Sequence, residues 1–307
     1  MLFLLFAIVS LRKIMKVIVI GKSGQLANEL IAELPEGVAV LSLGRNDVDI
    51  TSYNDLSVRV HQFQPNVIIN ASAYTAVDKA ESDRDAAYAL NEIAVEIMAK
   101  VAKENNCRLL HVSTDFVFDG ESNLAYDVSS NTNPKSVYGA SKLAGEQAIK
   151  NTYPENSAII RTSWVYSTFG INFVKTMLRL MKEKEQLGVV GDQIGCPTNA
   201  KGLAQFLWLL ASQTEIKQVY HWSDAGVASW YDLAVAIQEL ALKHGLLDKK
   251  IPISAIASSA YPTPAKRPKF SLLNSSQSAL ISEQIHWREQ LELCLIKLSS
   301  ENNGIRL

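Results

Sequence analysis

An α/β fold built on a doubly wound parallel sheet, with a smaller C-terminal α/β lobe, follows from three features of the sequence. Short continuous apolar runs rich in β-branched residues recur through the first half, as strands buried on both faces require. Stretches with apolar residues at helical spacing lie between them. The first run, Lys16-Val-Ile-Val-Ile20, passes directly into a glycine turn, Gly21-Lys-Ser-Gly24, and then into helix-forming residues.

Composition sets the frame. The 307 residues allow one large domain, or a large one with a smaller appendage. With 48% hydrophobic and 20% charged residues the chain has ample core and no bias towards disorder. A net charge of -1 gives no basic surface for nucleic acid. Cys107, Cys196 and Cys294 are far apart and form no Cys-x-x-Cys pair, so neither a disulfide framework nor a zinc site is indicated. They read as reduced thiols of a cytoplasmic protein. Met1 to Leu11 is almost wholly apolar, but too short to span a bilayer, and its charges, Arg12 and Lys13, follow the apolar run instead of preceding it. Residues 1–14 therefore read as an upstream extension, with Met15 the natural start and no membrane partner; a weak membrane anchor is the alternative.

The strand over 16–20 and the turn after it suit a pyrophosphate. Glycines let the backbone approach it, and the helix N-terminus faces its charge. Gly21, Ser23, Gly24, Gln25 and Leu26 are the residues in question, although a glycine turn of this spacing is also an ordinary tight turn. Val38 to Leu43 is the second strand. An acidic residue after it would select NADH by holding a ribose hydroxyl. Arg45 stands there instead, fitted to clamp a 2′-phosphate, so NADPH is favoured and NADH remains possible; the alternative is a solvated surface Arg. Asp49 and Ile50 follow, placed to touch the adenine, and a helix begins near Ser52. A third strand over Asn66–Ser72 delivers Ala71, Ser72, Ala73 and Tyr74 to the crevice edge. Leu90, Ile93, Ala94, Ile97, Met98 and Val101 mark one long helix.

Arg108 to Thr114 is a fourth strand whose carboxyl end presents Thr114 and Asp115, where open α/β sheets bind ligands. Tyr138 and Lys142 then share one helix face, a spacing of four apart; the spacing is short enough to recur by chance, and the alternative is that the two merely share an amphipathic helix. A cation one turn from a phenol favours the phenolate and lowers its pKa towards neutrality. A fifth strand runs from Ser157 to Tyr166 and contains Trp164. Further helices are expected over 172–181, 230–242 and 287–298, and Tyr261–Pro268 is a proline-stiffened strip that carries Arg267.

A strand–glycine turn–helix unit, a hydroxyl at the end of strand four and Tyr-x-x-x-Lys about 25 residues on resemble the extended short-chain dehydrogenase/reductase superfamily, and hence a Rossmann-like fold. Longer stretches resemble one family within it, the dTDP-4-dehydrorhamnose reductases. They are Gly21–Leu26, Asn70–Glu81, Ser113–Gly120, Tyr138–Lys142, Arg161–Tyr166, Asp192–Thr198 and Arg267–Asn274. Ala27, Phe116 and Asn274 depart from the usual Gly, Tyr and Asp, and none is a reacting group.

The resemblance implies an NAD(P)-binding domain over 15–165 and a mainly substrate-binding lobe over 166–307, some of whose segments return to the core. It implies reduction of a dTDP-4-keto-6-deoxy-L-sugar, with Thr114, Tyr138 and Lys142 catalytic. Tyr138 and Lys142 would also touch the cofactor, while Thr114, Asp115, Trp164 and Arg267 would hold the substrate. On the residues alone, Thr114 also reads as bracing its loop, Trp164 as core and Arg267 as bracing backbone. Mg²⁺ accompanies some relatives, but no ligand set stands out here. A monomer or a homodimer is left open. A sibling epimerase or dehydratase, or a non-catalytic regulatory subunit, are the competing readings.

Overall fold

The computed structural model describes residues 14–302, so all of the N-terminal extension but Ile14 lies outside the described residues. The central sheet contains β1 (Met15–Ile20), β2 (Val38–Leu43), β3 (Val67–Asn70), β4 (Arg108–Thr114), β5 (Ser157–Thr162) and β6 (Val219–His221). Every neighbouring pair is parallel, in the order β2-β1-β3-β4-β5-β6. The order reverses between β1 and β3, and ligands of such sheets bind in the crevice outside the carboxyl ends at that point. The fold is thus the Rossmann-like α/β class expected from the sequence.

Eight helices matter for the site: α1 (Gln25–Ala32), α2 (Tyr53–Phe63), α3 (Ala94–Glu104), α4 (Val137–Thr152), α5 (Phe173–Glu183), α6 (Ala200–Ser212), α7 (Trp230–Lys243) and α8 (Trp287–Asn302). Alternation along the strands explains why the runs are continuously apolar. Val17 and Val19 face Leu30 of α1 and Phe206 of α6, whereas Ile18 and Ile20 face Leu56 of α2 and Met98 of α3. Each such side chain, fully buried, stabilises the fold by roughly 1.5–3 kcal/mol. β6 and α6 come from beyond residue 165 but complete this sheet. A second core joins Val174 and Met177 of α5, Leu233 and Ile237 of α7, and Leu291 and Leu295 of α8. Alongside these helices, Leu187–Val190 pairs in parallel with Ile253–Ile256.

Three elements differ from the sequence expectation. β3 stops at Asn70, because the Asn70 side chain accepts hydrogen bonds from the Ser72 N–H (3.0 Å) and hydroxyl (2.7 Å) and turns the chain. The run from Ser157 to Tyr166 is two strands. β5 ends at Thr162, Trp164 takes a left-handed φ of 49°, and Val165–Tyr166 pairs with Thr198–Asn199. The long helix is broken by a π-helical turn over Ala89–Ile93. Its extra residue rotates the following face, so Asn91 is fully buried and Ile93 is 49% exposed.

Candidate active site

The turn after β1 has the shape a phosphate cradle needs. Gly21 has φ 112°, and a Cβ there would stand 2.9 Å from the Ala71 carbonyl carbon and oxygen. Only glycine fits both the conformation and the approach. Gly24 precedes α1 without a side-chain cap, and no acidic residue occupies the first turn. The helix therefore offers its N-terminal N–H groups with no competing carboxylate. Lys22 and Ser23 are exposed above the turn, and Leu26 is buried in the core, so only its backbone can face a ligand. Gln25 accepts from the Asn172 amide at 2.9 Å, which ties the turn to the start of α5.

Past β2, Arg45 is exposed, while Asp47 folds back to accept from the Gly44 N–H at 2.9 Å. The Asp49 carboxylate accepts from the Thr51 N–H (2.9 Å) and hydroxyl (2.6 Å), and these bonds hold its pKa below the usual value. Ile50 packs half-buried on the core under α2. Past β3, Ala71, Ser72, Ala73 and Tyr74 are all half-buried along the crevice edge. Asn91, from the π turn, receives the Tyr74 N–H (2.9 Å) and donates to the Tyr74 carbonyl (3.2 Å) and the Ser141 hydroxyl (2.9 Å). The irregular turn is therefore what pins this loop to α4.

On the facing wall, α4 carries Tyr138, Lys142 and Glu146 as one stripe. Ser136 caps it by accepting from the Gly139 N–H at 3.1 Å. Two glycines set its position: a Cβ on Gly139 would overlap the Phe116 carbonyl, and one on Gly145 the Asn91 carbonyl. α4 thereby lies close against both the loop after β4 and the π turn. Thr114 is buried at the end of β4; its hydroxyl donates to Asp115 at 3.0 Å and accepts from the Phe116 N–H at 3.2 Å. The Tyr138 ring stands edge-on to Phe116, with centroids 5.5 Å apart.

The electrostatics correct one expectation. Burial pushes the Tyr138 phenol up to about 12; the Thr114 hydroxyl offsets part of that rise and the Asp115 charge adds to it. Lys142 does not lower it here, because its Nζ is turned towards the sheet, 2.7 Å from the Val112 carbonyl and 3.2 Å from His111 Nε2. Burial draws Lys142 itself down to about 8, against the opposing pull of Glu146. Asp115 is raised to about 6 by burial, and its Oδ2 has no hydrogen-bond partner.

The residues expected to hold a sugar nucleotide divide. Trp164 stacks on Trp230 with centroids 3.6 Å apart, above Gly195, where a Cβ would meet the Trp164 ring at 2.9 Å. Arg267 has its fork filled by Asp78, at 2.7 and 3.0 Å, so the proline-rich strip is strapped to the loop after β3. His111 and Asn70 were not singled out from the sequence, though a His within Leu-Leu-His-Val is a signal. Among the described residues no group of three or more His, Cys, Asp or Glu is arranged to hold a metal ion.

A doubly wound sheet with a glycine cradle on one side of the crevice, and Thr114, Tyr138 and Lys142 on the other, defines an extended short-chain dehydrogenase/reductase. The model of the RmlD substrate binding domain matches residues 15–300. A dTDP-4-dehydrorhamnose reductase of Sinorhizobium fredii is 39% identical over 85% of this chain and 89% of its own. One from Aggregatibacter actinomycetemcomitans is 38% identical over 90% and 97%. The crystal structure of the dTDP-4-dehydrorhamnose reductase from Bacillus anthracis, in complex with NADP, is 35% identical, covers 92% of this chain and 99% of its own, and superposes with a TM-score of 0.86. The chain belongs to the dTDP-4-dehydrorhamnose reductase family.

Proposed function

We propose that this protein reduces dTDP-4-dehydro-β-L-rhamnose to dTDP-L-rhamnose at the expense of NADPH, supplying a precursor for cell-surface polysaccharide from the cytoplasm. What supports this reading is that the Thr114 hydroxyl acts directly on the Tyr138 phenol at the carboxyl end of β4, on the same side of the sheet as the Gly21 cradle. The cradle fits a dinucleotide: its backbone approach admits no Cβ at Gly21, and the uncapped start of α1 favours an anion. Ala71 to Tyr74 would line its ribose and phosphate, and the exposed Arg45 supports a 2′-phosphate and so NADPH over NADH. The nicotinamide, when bound, supplies a hydride to the sugar carbonyl carbon.

The chain's own residues manage the charge that this transfer creates. As the carbonyl oxygen becomes an alkoxide, Tyr138 donates its proton, and Thr114 hydrogen-bonds the same oxygen and orients it. An alkoxide is far more basic than a phenolate, so a phenol held up to about 12 still gives up its proton downhill. Lys142, one turn on, holds the nicotinamide ribose and stabilises the phenolate left behind. Asp115, with an unpartnered buried oxygen, would accept a hydrogen bond from a sugar hydroxyl. Trp164 would meet the nucleotide-sugar only with the part of its ring that Trp230 and Gly195 leave uncovered. Arg267 reaches a diphosphate only by exchanging Asp78 for it.

Incubating the protein with dTDP-4-dehydro-L-rhamnose and NADPH should consume nicotinamide absorbance in a one-to-one ratio with dTDP-L-rhamnose. Turnover that regenerates its nicotinamide would identify an epimerase or dehydratase instead, and binding without turnover a regulatory subunit.

A further inference from the structure

A line of buried hydrogen bonds runs from the crevice edge through the sheet to Lys142, and its direction is fixed at both ends. At one end the Ser72 backbone N–H donates to Asn70 Oδ1 at 3.0 Å. That leaves Asn70 Nδ2, a donor, facing His111 Nδ1 at 2.9 Å. His111 Nδ1 must accept, so the ring proton sits on Nε2. Nε2 faces Lys142 Nζ at 3.2 Å, and Nζ donates to the Val112 carbonyl at 2.7 Å. Turning the Asn70 amide over would only move the donor–donor clash to the Ser72 N–H. Every link is satisfied in one way: His111 Nε2–H donates to a lone pair on Nζ.

From this geometry we propose that His111 is a positioning residue that docks Lys142 on the sheet as an uncharged amine in mildly alkaline solution, and that nucleotide binding there charges it. The inference rests on the reductase reading. Lys142 takes up one proton from solvent onto the Nζ lone pair, the Nζ–His111 link opens, and His111 keeps its Nε2 proton. The freed ammonium can then serve Tyr138 and a ribose.

The charged surroundings agree. From its own helix Lys142 has Tyr138 and Glu146 one turn to either side, and from β4 it faces His111; the Asp115 charge acts on Tyr138 instead. Glu146, the one carboxylate that raises its proton affinity, is already forked by Arg161 of β5 at 2.9 and 2.7 Å and receives the Ser113 hydroxyl at 2.6 Å. Burial of both partners disfavours charge on either.

The test follows nitrogen-15-labelled lysine by NMR in protein without added nucleotide, with Lys142→Met assigning the signal. Lys142 should show an amine shift at pH values above about 8, where a lysine at the ordinary 10.5 is still an ammonium. An ammonium signal persisting to near 10.5 would overturn the dock, whatever NADPH does. With one proton taken up, the Kd for NADPH should rise about tenfold per pH unit above that point.

His111→Val removes the ring N–H and should move both transitions to higher pH. His111→Gln, which can accept from Asn70 and donate to Nζ, should restore them. Titrations that stay in place in His111→Val, beside a mere loss of stability, would make His111 structural and defeat the proposal. Should His111→Val not fold, the unsubstituted protein and His111→Gln decide it through the same lysine signal. An amine signal in a protein that binds no NADPH would leave the dock standing and sink the reductase reading.

Discussion

Tyr138 keeps its proton at neutral pH in this setting, ready to give it to a stronger base. Its proton affinity is raised by burial, and Lys142, one turn away, points its Nζ towards the sheet. Replacing it by Phe keeps the ring contact with Phe116 and removes only the proton. The rate constant kcat should then fall by about 10²–10⁴-fold, as for a positioned acid, with NADPH affinity unchanged. A loss under about threefold, less than 1 kcal/mol of barrier, would defeat the assignment. Arg45→Ala probes the cofactor. A charge-assisted contact is worth roughly 1.5–3 kcal/mol, so NADPH should weaken by about ten- to a hundredfold while NADH barely changes. Equal losses for the two would remove Arg45 from 2′-phosphate recognition. Thr114, Tyr138 and Lys142 could be singled out in the sequence because the long motifs around them resemble a known family; Tyr-x-x-x-Lys alone is short and recurs by chance. His111 and Asn70 could not. Their meaning lies in being register partners across β3 and β4, a relation made by the sheet and absent from either strand alone.

At the scale of elements, the wall that holds these residues is set by backbone contact rather than by side-chain fit. Gly139 and Gly145 bring α4 onto the Phe116 and Asn91 carbonyls. In an open helix, Ala in place of Gly stabilises by about 0.5–1 kcal/mol. Here the added Cβ meets a carbonyl that cannot swing aside, so Gly139→Ala should cost about 1–3 kcal/mol, as overpacking does. Because the carbonyl it pushes belongs to the loop after Thr114, the same change should widen the gap between Thr114 and Tyr138. A misplacement of this kind is worth up to about 10²-fold in rate. Denaturant midpoints and kcat for Gly139→Ala check both halves. A variant more stable than the parent, with kcat intact, would refute the close approach. The strands and most helices were readable from apolar period. The π turn was not, since one inserted residue leaves the composition of the stripe unchanged and only rotates it. Nor was the break at Trp164, where a run apolar enough for one strand changes partners through a left-handed residue.

For the whole molecule, the three cysteines join two cores in one alkaline transition. Cys107 lies in the core under the sheet, Cys196 and Cys294 in that of the C-terminal lobe, and all three are buried. Burial raises each thiol above its ordinary 9.0, Cys107 and Cys294 to about 12 and Cys196 further. A folded-state pKa raised in this way contributes stability that is complete below 9 and is lost as pH climbs towards 12. Lys142 works in the opposite sense. Its folded pKa of about 8 lies below the ordinary 10.5, so its contribution is complete above 10.5 and shrinks as pH falls towards 8. Between pH 9 and 10 the unfolded chain has released three thiol protons and kept that of Lys142, whereas the folded chain has done the reverse. The net difference is two protons, a fall of about 2.7 kcal/mol in stability per pH unit. Above 10 the fall should steepen, as the buried phenols of Tyr138 and Tyr166 join the thiols. Replacing Cys107 and Cys294 together by Ala removes those two protons and should leave the profile between pH 9 and 10 nearly flat. Because β6 and α6 carry the chain from the lobe back into the sheet, either replacement alone should shift one shared transition by one proton. Urea unfolding at closely spaced pH values, with free-thiol labelling in parallel, reads both effects. Two separate transitions, each sensitive to only one of the cysteines, would show that the sheet and the lobe unfold independently.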